Sequence, residues 1–185
     1  MDSKTQLASL IKRLSYKEGD FTLASGKKSN FYVDLKNTTL HPEGADLLGT
    51  LIVRDILEKR IHVDGVGGMT MGADPIATAV SLAAFSRGLV WPAFIVRKDP
   101  KDHGTGQYVE GTANLSKGSR LLVVEDVVTT GGSSLKAIER LKAEGYTIAA
   151  LMTIVDREQG GRDAFESQGV QFLNLLTLND VKSAK

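Results

Sequence analysis

Leu121-Leu-Val-Val-Glu-Asp-Val-Val-Thr-Thr-Gly-Gly-Ser-Ser134 is the stretch of this 185-residue chain that decides its fold. Four apolar residues run into an adjacent acid pair, Glu125 and Asp126, and then into a turn rich in hydroxyls and glycine. Beyond the turn, Leu135, Ile138 and Leu141 recur three apart, the spacing of one helix face. The stretch reads as a buried strand over 121–125, a tight turn and a helix over 134–144, laid end to end. Backbone N–H groups at residues 130–133 converge at such a helix start, where the helix dipole favours an anion. The glycines allow close backbone approach and the hydroxyls add donors. Carboxylates beside a phosphate repel it unless they serve a neighbouring diol or a cation. The combination predicts a sugar phosphate, with the acids on ribose hydroxyls and the turn on the phosphate. The other reading is an ordinary strand–turn–helix crossover whose acids cap nearby backbone.

Two other phosphate loops are excluded. Gly26-Lys27-Lys28-Ser29 lacks the preceding strand and the glycine spacing of a Walker loop, and no Gly-x-Gly-x-x-Gly follows a first strand. A net charge of +1 argues against bulk nucleic-acid or membrane electrostatics, so neither is expected as a partner. With no cysteine, disulfides, thiolate metal sites and a Cys nucleophile are ruled out. Hydrophobic content of 42% without any membrane-length apolar run fits a soluble globular protein, and the N-terminus has no apolar signal region. A cytoplasmic location is the simplest expectation. The length suits one α/β domain over 1–185.

Outward from the opening stretch, strands and helices alternate. Leu7, Leu10, Ile11 and Leu14 mark a first amphipathic helix, and residues 21–35 read as extended with a turn at Ser25-Gly26. Pro42 opens a helix carrying Leu47, Leu48, Leu51, Ile52 and Ile56. A short strand over 63–67 enters a Gly/Met turn, and Asp74-Pro75 supplies an N-cap and first-turn proline for a helix over 75–87. Ala93-Phe-Ile-Val96 is a strand, 98–112 a polar stretch, 147–155 a strand, and 169–173 one more. The pattern predicts a mainly parallel central sheet flanked by helices, with right-handed crossovers. Ligands of such sheets bind at the carboxyl ends of strands. That rule gathers residues 67–72, Arg97, the segment 125–133 and Asp156-Arg157 on one rim.

The opening stretch resembles the phosphoribosyl-pyrophosphate signature of the type I phosphoribosyltransferases. Arg97-Lys-Asp-Pro-Lys-Asp-His-Gly-Thr-Gly106 is similar to the catalytic loop of the orotate branch of that family. Phe21-Thr-Leu-Ala-Ser-Gly-Lys-Lys-Ser-Asn-Phe-Tyr-Val-Asp34 resembles its N-terminal substrate segment, and Asp156-Arg157 its orotate contact. The resemblance implies the type I fold with a small N-terminal hood contributed by about residues 1–40. It implies Mg²⁺-dependent transfer of a 5-phosphoribosyl group from phosphoribosyl pyrophosphate to orotate, giving orotidine 5′-phosphate and pyrophosphate in pyrimidine (UMP) synthesis. A homodimer sharing the loop between subunits is implied as well. The competing class is a binding or regulatory module that kept the phosphate site and lost catalysis. It is expected to lack Lys101 and His103, which this chain retains.

The implied roles fall residue by residue. Lys101, His103 and Asp126 are the catalytic candidates. Phosphoribosyl pyrophosphate would meet Arg97, Lys98, Lys101, His103, Glu125, Asp126, Val127, Val128, Thr129, Thr130, Gly131, Gly132 and Ser133. Orotate would meet Thr129, Arg157, Tyr32 and Val33. Without the resemblance, solvated surface is the minor reading of the 98–106 loop, whereas Tyr32 and Val33 read as strand core and Arg157 as a salt bridge with Asp156. Residues 67–72 look like the family's pyrophosphate loop, or like a tight strand–helix turn. No carboxylate cluster makes an all-protein Mg²⁺ cage, so the metal is expected to arrive with the substrate. His41 and His62 match nothing catalytic. Two lysines common in the family are absent, at Ala24 and around Met71-Gly72; Lys27, Lys28 or a partner chain are the stand-ins the sequence offers.

Overall fold

A computed structural model describes residues 2–22, 26, 28–100 and 107–185. Helix α1 (Ser3–Ser15) leads into a hairpin of β1 (Tyr16–Thr22) and β2 (Lys28–Val33), paired antiparallel with an irregularity between Glu18 and Phe21. The one-turn α2 (Lys36–Thr39) and α3 (Pro42–Glu58) follow, the latter with Pro42 in its first turn, where a missing N–H is harmless. Then come β3 (Gly65–Met69), α4 (Ala73–Phe85), β4 (Ala93–Val96) and the two-residue β5 (Val109–Glu110). The chain closes with β6 (Arg120–Val128), α5 (Gly132–Ala143), β7 (Thr147–Asp156), α6 (Gly161–Glu166), β8 (Phe172–Thr177) and α7 (Leu178–Ser183).

The main sheet has the order β5-β4-β3-β6-β7-β8, with every pair parallel except the β4–β5 edge. The pleat of β6 divides the core. Leu122 and Val124 pack with Leu48, Ile52, Ile76 and Val80 of α3 and α4 on one face. Leu121 and Val123 pack with Ile138, Leu141 and Phe165 of α5 and α6 on the other. Full burial of each such side chain contributes about 1.5–3 kcal/mol, so the strand is held from both sides.

Several boundaries differ from the sequence reading, each for a physical reason. Strand β6 runs past the acid pair to Val128, because Glu125, Val127 and Val128 pair with Thr153, Val155 and Asp156 of β7. The last strand lies over 172–177 rather than 169–173, with Gly169 in the turn before it. Asp74 is not an N-cap: α4 starts at Ala73, two residues earlier than expected, with Gly72 at the cap position, and the Asp74 carboxylate sits inside the first turn accepting the Thr70 hydroxyl at 2.7 Å. Among the described residues no helix is long and apolar enough to cross a membrane.

The order of strands reverses between β3 and β6. From β3 the chain moves outward to β4, then returns to place β6 on β3's other side. The carboxyl ends of β3 and β6 therefore flank a crevice, the place where an open α/β sheet binds its ligand.

Candidate active site

Residues 129–131 carry the chain from the end of β6 into α5. Gly131 takes a positive φ of 83°, a left-handed turn that a side chain resists, and its Cα faces the Phe165 ring. Among the described residues no side chain caps α5, so the first-turn N–H groups of Gly132 and Ser133 keep their donors for an incoming anion. Thr129 and Thr130 precede that turn, Thr130 exposed and Thr129 half-buried. Val127 and Val128 face the core through their side chains, which leaves only their backbone for a ligand.

Glu125 lies under this turn. It is 7% exposed, and its Oε2 accepts the Ser134 hydroxyl at 2.7 Å and the Ser133 hydroxyl at 3.2 Å. Burial pushes its carboxyl up to about 7; the Ser134 hydroxyl pulls against that and the neighbouring Asp126 charge adds to it. Asp126, one residue on, is more open, with Oδ1 accepting the Val127 N–H at 2.8 Å. Two adjacent carboxylates thus differ sharply in environment.

A cleft of about 220 Å³ opens between the strand ends, lined by Glu125, Asp126 and Ser133 on one side and by residues 69–72 on the other. Lys98 and Lys36 complete it. Lys98 is the cation the sequence pointed to. Lys36 was not foreseen: it reaches the cleft from α2, anchored to Asp34 Oδ1 at 2.7 Å. The Asp34 carboxylate holds the Lys36 ammonium above the usual lysine range, with Asp126 and Tyr32 adding to the effect. Arg97 turns away from the cleft, its guanidinium pairing with Glu110 at 3.4 Å and donating to the Asp99 carbonyl at 3.3 Å. Lys101 and His103 lie outside the described residues, as do Ala24, Ser25 and Lys27.

A second, wider hollow of about 880 Å³ lies beside the ends of β6 and β7, against the hairpin. Arg157 enters it at the end of β7, its backbone N–H bonded to the Val128 carbonyl at 2.9 Å. The Arg157 guanidinium stands over the Phe31 ring, 5.2 Å from its centroid. Its Nε is buried with no partner among the described residues, and Asp156 is occupied by the Glu158 N–H at 2.8 Å. Phe31, not Tyr32 or Val33, is the hairpin residue that joins Arg157. Strand pleat puts neighbours on opposite faces, so Val33 packs toward the core and Tyr32 tilts against Phe21 in the open. Lys28 and Ser29 line the same hollow.

The two histidines outside the loop stay away from the cleft's lining. His62 Nε2 lies 2.7 Å from Asp64 Oδ1, and His41 sits just before α3 with its Nδ1 buried.

Among the described residues no three His, Asp or Glu side chains gather as a metal cage. The hard oxygen pair Glu125 and Asp126 suits a cation that brings most of its own ligands.

Comparison with known proteins agrees with this geometry. A model of the phosphoribosyl transferase domain matches residues 36–168. The chain is similar to the orotate phosphoribosyltransferase of Nostoc sp., 43% identical over 179 residues, covering 97% of this chain and 85% of that protein. Its fold superposes on the crystal structure of Mycobacterium tuberculosis orotate phosphoribosyltransferase bound to Fe(III) dicitrate with a TM-score of 0.86 and 38% identity, covering 97% of this chain and 99% of that one. For the same enzyme in complex with 5-phospho-α-D-ribosyl 1-diphosphate the values are 0.82 and 35%, covering 98% and 99%.

Proposed function

The chain belongs to the orotate phosphoribosyltransferases, and from that premise we propose how its residues divide the work. The reaction transfers the 5-phosphoribosyl group from phosphoribosyl pyrophosphate to orotate, releasing pyrophosphate and giving orotidine 5′-phosphate for pyrimidine synthesis. The observation that carries the assignment of roles is the acid pair at the carboxyl end of β6, opening directly into an uncapped helix start at the point where strand order reverses.

The 5-phosphate sits in the turn, taking backbone donors of Thr130, Gly131, Gly132 and Ser133 and the hydroxyls of Thr129 and Thr130. Glu125 and Asp126 accept from the two ribose hydroxyls and fix C1 in the crevice. The C1–pyrophosphate bond breaks as the ring nitrogen of orotate arrives, through a transition state with oxocarbenium character. If orotate enters with its ring nitrogen deprotonated, its proton already lost to solvent, the site needs positioning and charge, not a strong base. Lys98 and Lys36 line the cleft on the leaving-group side and neutralise the departing charge; Lys101 and His103 of the loop join them. Arg157 presents its unpartnered Nε and forked donors to the carboxylate or carbonyls of orotate, with Phe31 beneath. Mg²⁺ bound with the substrate would supply further charge to the pyrophosphate oxygens, and the Glu125/Asp126 oxygens suit it.

A cytoplasmic enzyme acting as one catalytic domain over 1–185, with residues 1–40 as its hood, is the accompanying proposal. It works as a homodimer in which the Lys101–His103 loop serves the partner's site. The exposed apolar side chains of Met71, Leu82, Phe85 and Val90 support a surface for a second copy.

Purified protein given Mg²⁺ and phosphoribosyl pyrophosphate should consume orotate, followed by its ultraviolet absorbance. Consumption of adenine or xanthine in its place would overturn the assignment. Mixing inactive Lys101→Ala and Asp126→Ala variants tests site sharing: activity returns if one hybrid site receives both intact groups, and stays absent if each site is self-contained.

A further inference from the structure

Arg140 lies on the third turn of α5, away from the substrate cleft, yet it gathers several parts of the site's frame. Its Nη1 donates to the Arg97 carbonyl, and its Nη2 to the Lys98 carbonyl at 3.0 Å. Its guanidinium carbon stands 4.0 Å from the centroid of the Tyr108 ring. The same Nη1 is 4.0 Å from Met69 Sδ, at the end of β3. Backbone pairing of the Arg97 N–H with the Tyr108 carbonyl, at 2.8 Å, closes the square. One side chain therefore ties the exits of β3 and β4 and the entry to β5 to the helix whose N-terminus forms the phosphate turn.

We propose that Arg140 is a positioning residue: it fixes the backbone at Arg97 and Lys98 so that Lys98 meets the leaving group at the cleft while the phosphate turn holds the other end of the substrate. The inference rests on the phosphoribosyl pyrophosphate reading above. The chemistry requires arginine. Its planar fork bonds two successive carbonyls and stacks on an aromatic face at once, whereas a lysine ammonium reaches one carbonyl as a point charge. Neither carbonyl lies in a strand ladder, so without Arg140 the Lys98 backbone loses a charged donor and the side chain its fixed origin.

The test is steady-state kinetics on the full-length enzyme with orotate and phosphoribosyl pyrophosphate varied separately. For Arg140→Ala, kcat/KM for phosphoribosyl pyrophosphate should fall about tenfold or more while KM for orotate stays within about twofold, since a misplacement near 1 Å is costly only at the displaced contact. Arg140→Lys should recover only part. In the background of Lys98→Ala, adding Arg140→Ala should change little, because the two act as one unit. Equal losses toward both substrates, or fully additive losses with Lys98→Ala, would overturn the proposal. Where Arg140→Ala does not fold, Tyr108→Leu serves, with Tyr108→Phe as its partner. Loss of the ring should lower kcat/KM for phosphoribosyl pyrophosphate, and loss of the hydroxyl should not; identical behaviour of the two counts against the idea. Calorimetric binding of phosphoribosyl pyrophosphate to wild type separates the two readings. A wild type that does not bind it sinks the underlying assignment, whereas tight binding unchanged in Arg140→Ala sinks only the positioning role.

Discussion

Gly72 faces Asp126 so closely that a Cβ on the glycine would lie 3.0 Å from the carboxyl carbon and from both carboxylate oxygens. The glycine's own backbone is ordinary, with φ −61°, so alanine fits the chain there without strain. What must yield is the end of a flexible side chain, by a few tenths of an ångström. Gly72→Ala is therefore expected to leave thermal stability almost unchanged, within about 0.5 kcal/mol. Asp126, pushed off its ribose contact, should cost about tenfold in kcat/KM. Thermal melts alongside orotate kinetics check the split; a large drop in melting temperature with intact activity would contradict it.

Glu125 makes stability depend on pH. Its carboxyl is raised in the folded state, first by burial, from an ordinary value of 4.5 to about 7. Between those values the folded protein holds a proton that the unfolded chain has released. Stability is therefore full below about 4.5 and falls as pH rises through 7, by an amount on the order of 3 kcal/mol. Glu125→Gln, neutral throughout, should lose this component. Denaturant titrations at pH 5 and pH 8 should show a wild-type decline that the variant lacks. Parallel declines in the two proteins would show that other groups cause it.

How far the sequence alone led is clearest at these two acids. The apolar run before Glu125 and the glycine-hydroxyl turn after Asp126 are local signals, so the succession of strand, turn and helix was legible without a fold, though not the strand's end at Val128 or the helix's start at Gly132. The rule that ligands sit at strand carboxyl ends gathered residues 67–72, Arg97, 125–133 and Asp156-Arg157. In the structure residues 69–72 share a cleft with Asp126 and Ser133, Arg157 enters a separate hollow, and the Arg97 side chain turns toward Glu110. Lys36 was not legible because it lies on a four-residue helix with no periodicity, and only the chain path brings it to the cleft. Phe31 was missed for another reason: it shares one face of β2 with Val33, and only the packing of the hairpin beside the end of β7 decides which of the two meets Arg157. Arg140, in turn, looks like one more charge on a solvated helix face until the β4 exit is seen beneath it.

Lys36 lines the same cleft as Met71 and Gly72, where the sequence has no lysine. With Asp34 as its anchor it stays charged across the working range, since that carboxylate's hydrogen bond raises its pKa. Lys36→Ala should raise KM for phosphoribosyl pyrophosphate about tenfold, the scale of one charge-assisted hydrogen bond, while KM for orotate moves little. Lys36→Arg should retain most of the affinity. The penalty should also shrink in high salt, because part of it is screened attraction to a polyanion. Equal KM changes for both substrates would mean that Lys36 acts on the hairpin rather than on the leaving group.

Gly131 carries the strongest backbone constraint in the phosphate turn. Its φ of 83° costs a non-glycine residue about 1 kcal/mol. A Cβ there would also sit 2.5 Å from Phe165 Cζ, a fully buried ring stacked on Phe172 at 5.3 Å. That ring is packed core and cannot swing aside, so overpacking adds about 1–3 kcal/mol. Gly131→Ala should thus lower the melting temperature by about 5–15 °C for a chain of this size. The two costs separate in a double variant. Phe165→Leu alone leaves a cavity and destabilises, but in the Gly131→Ala background it removes the clash, so the double variant should be more stable than the sum of the singles by about 1 kcal/mol or more. The conformational cost remains, and with it a weakened grip on phosphate, because the N–H groups of Gly132 and Ser133 are aimed by that one left-handed residue. Strict additivity of the two substitutions would mean that Phe165 yields freely and that the φ of Gly131 accounts for the whole effect.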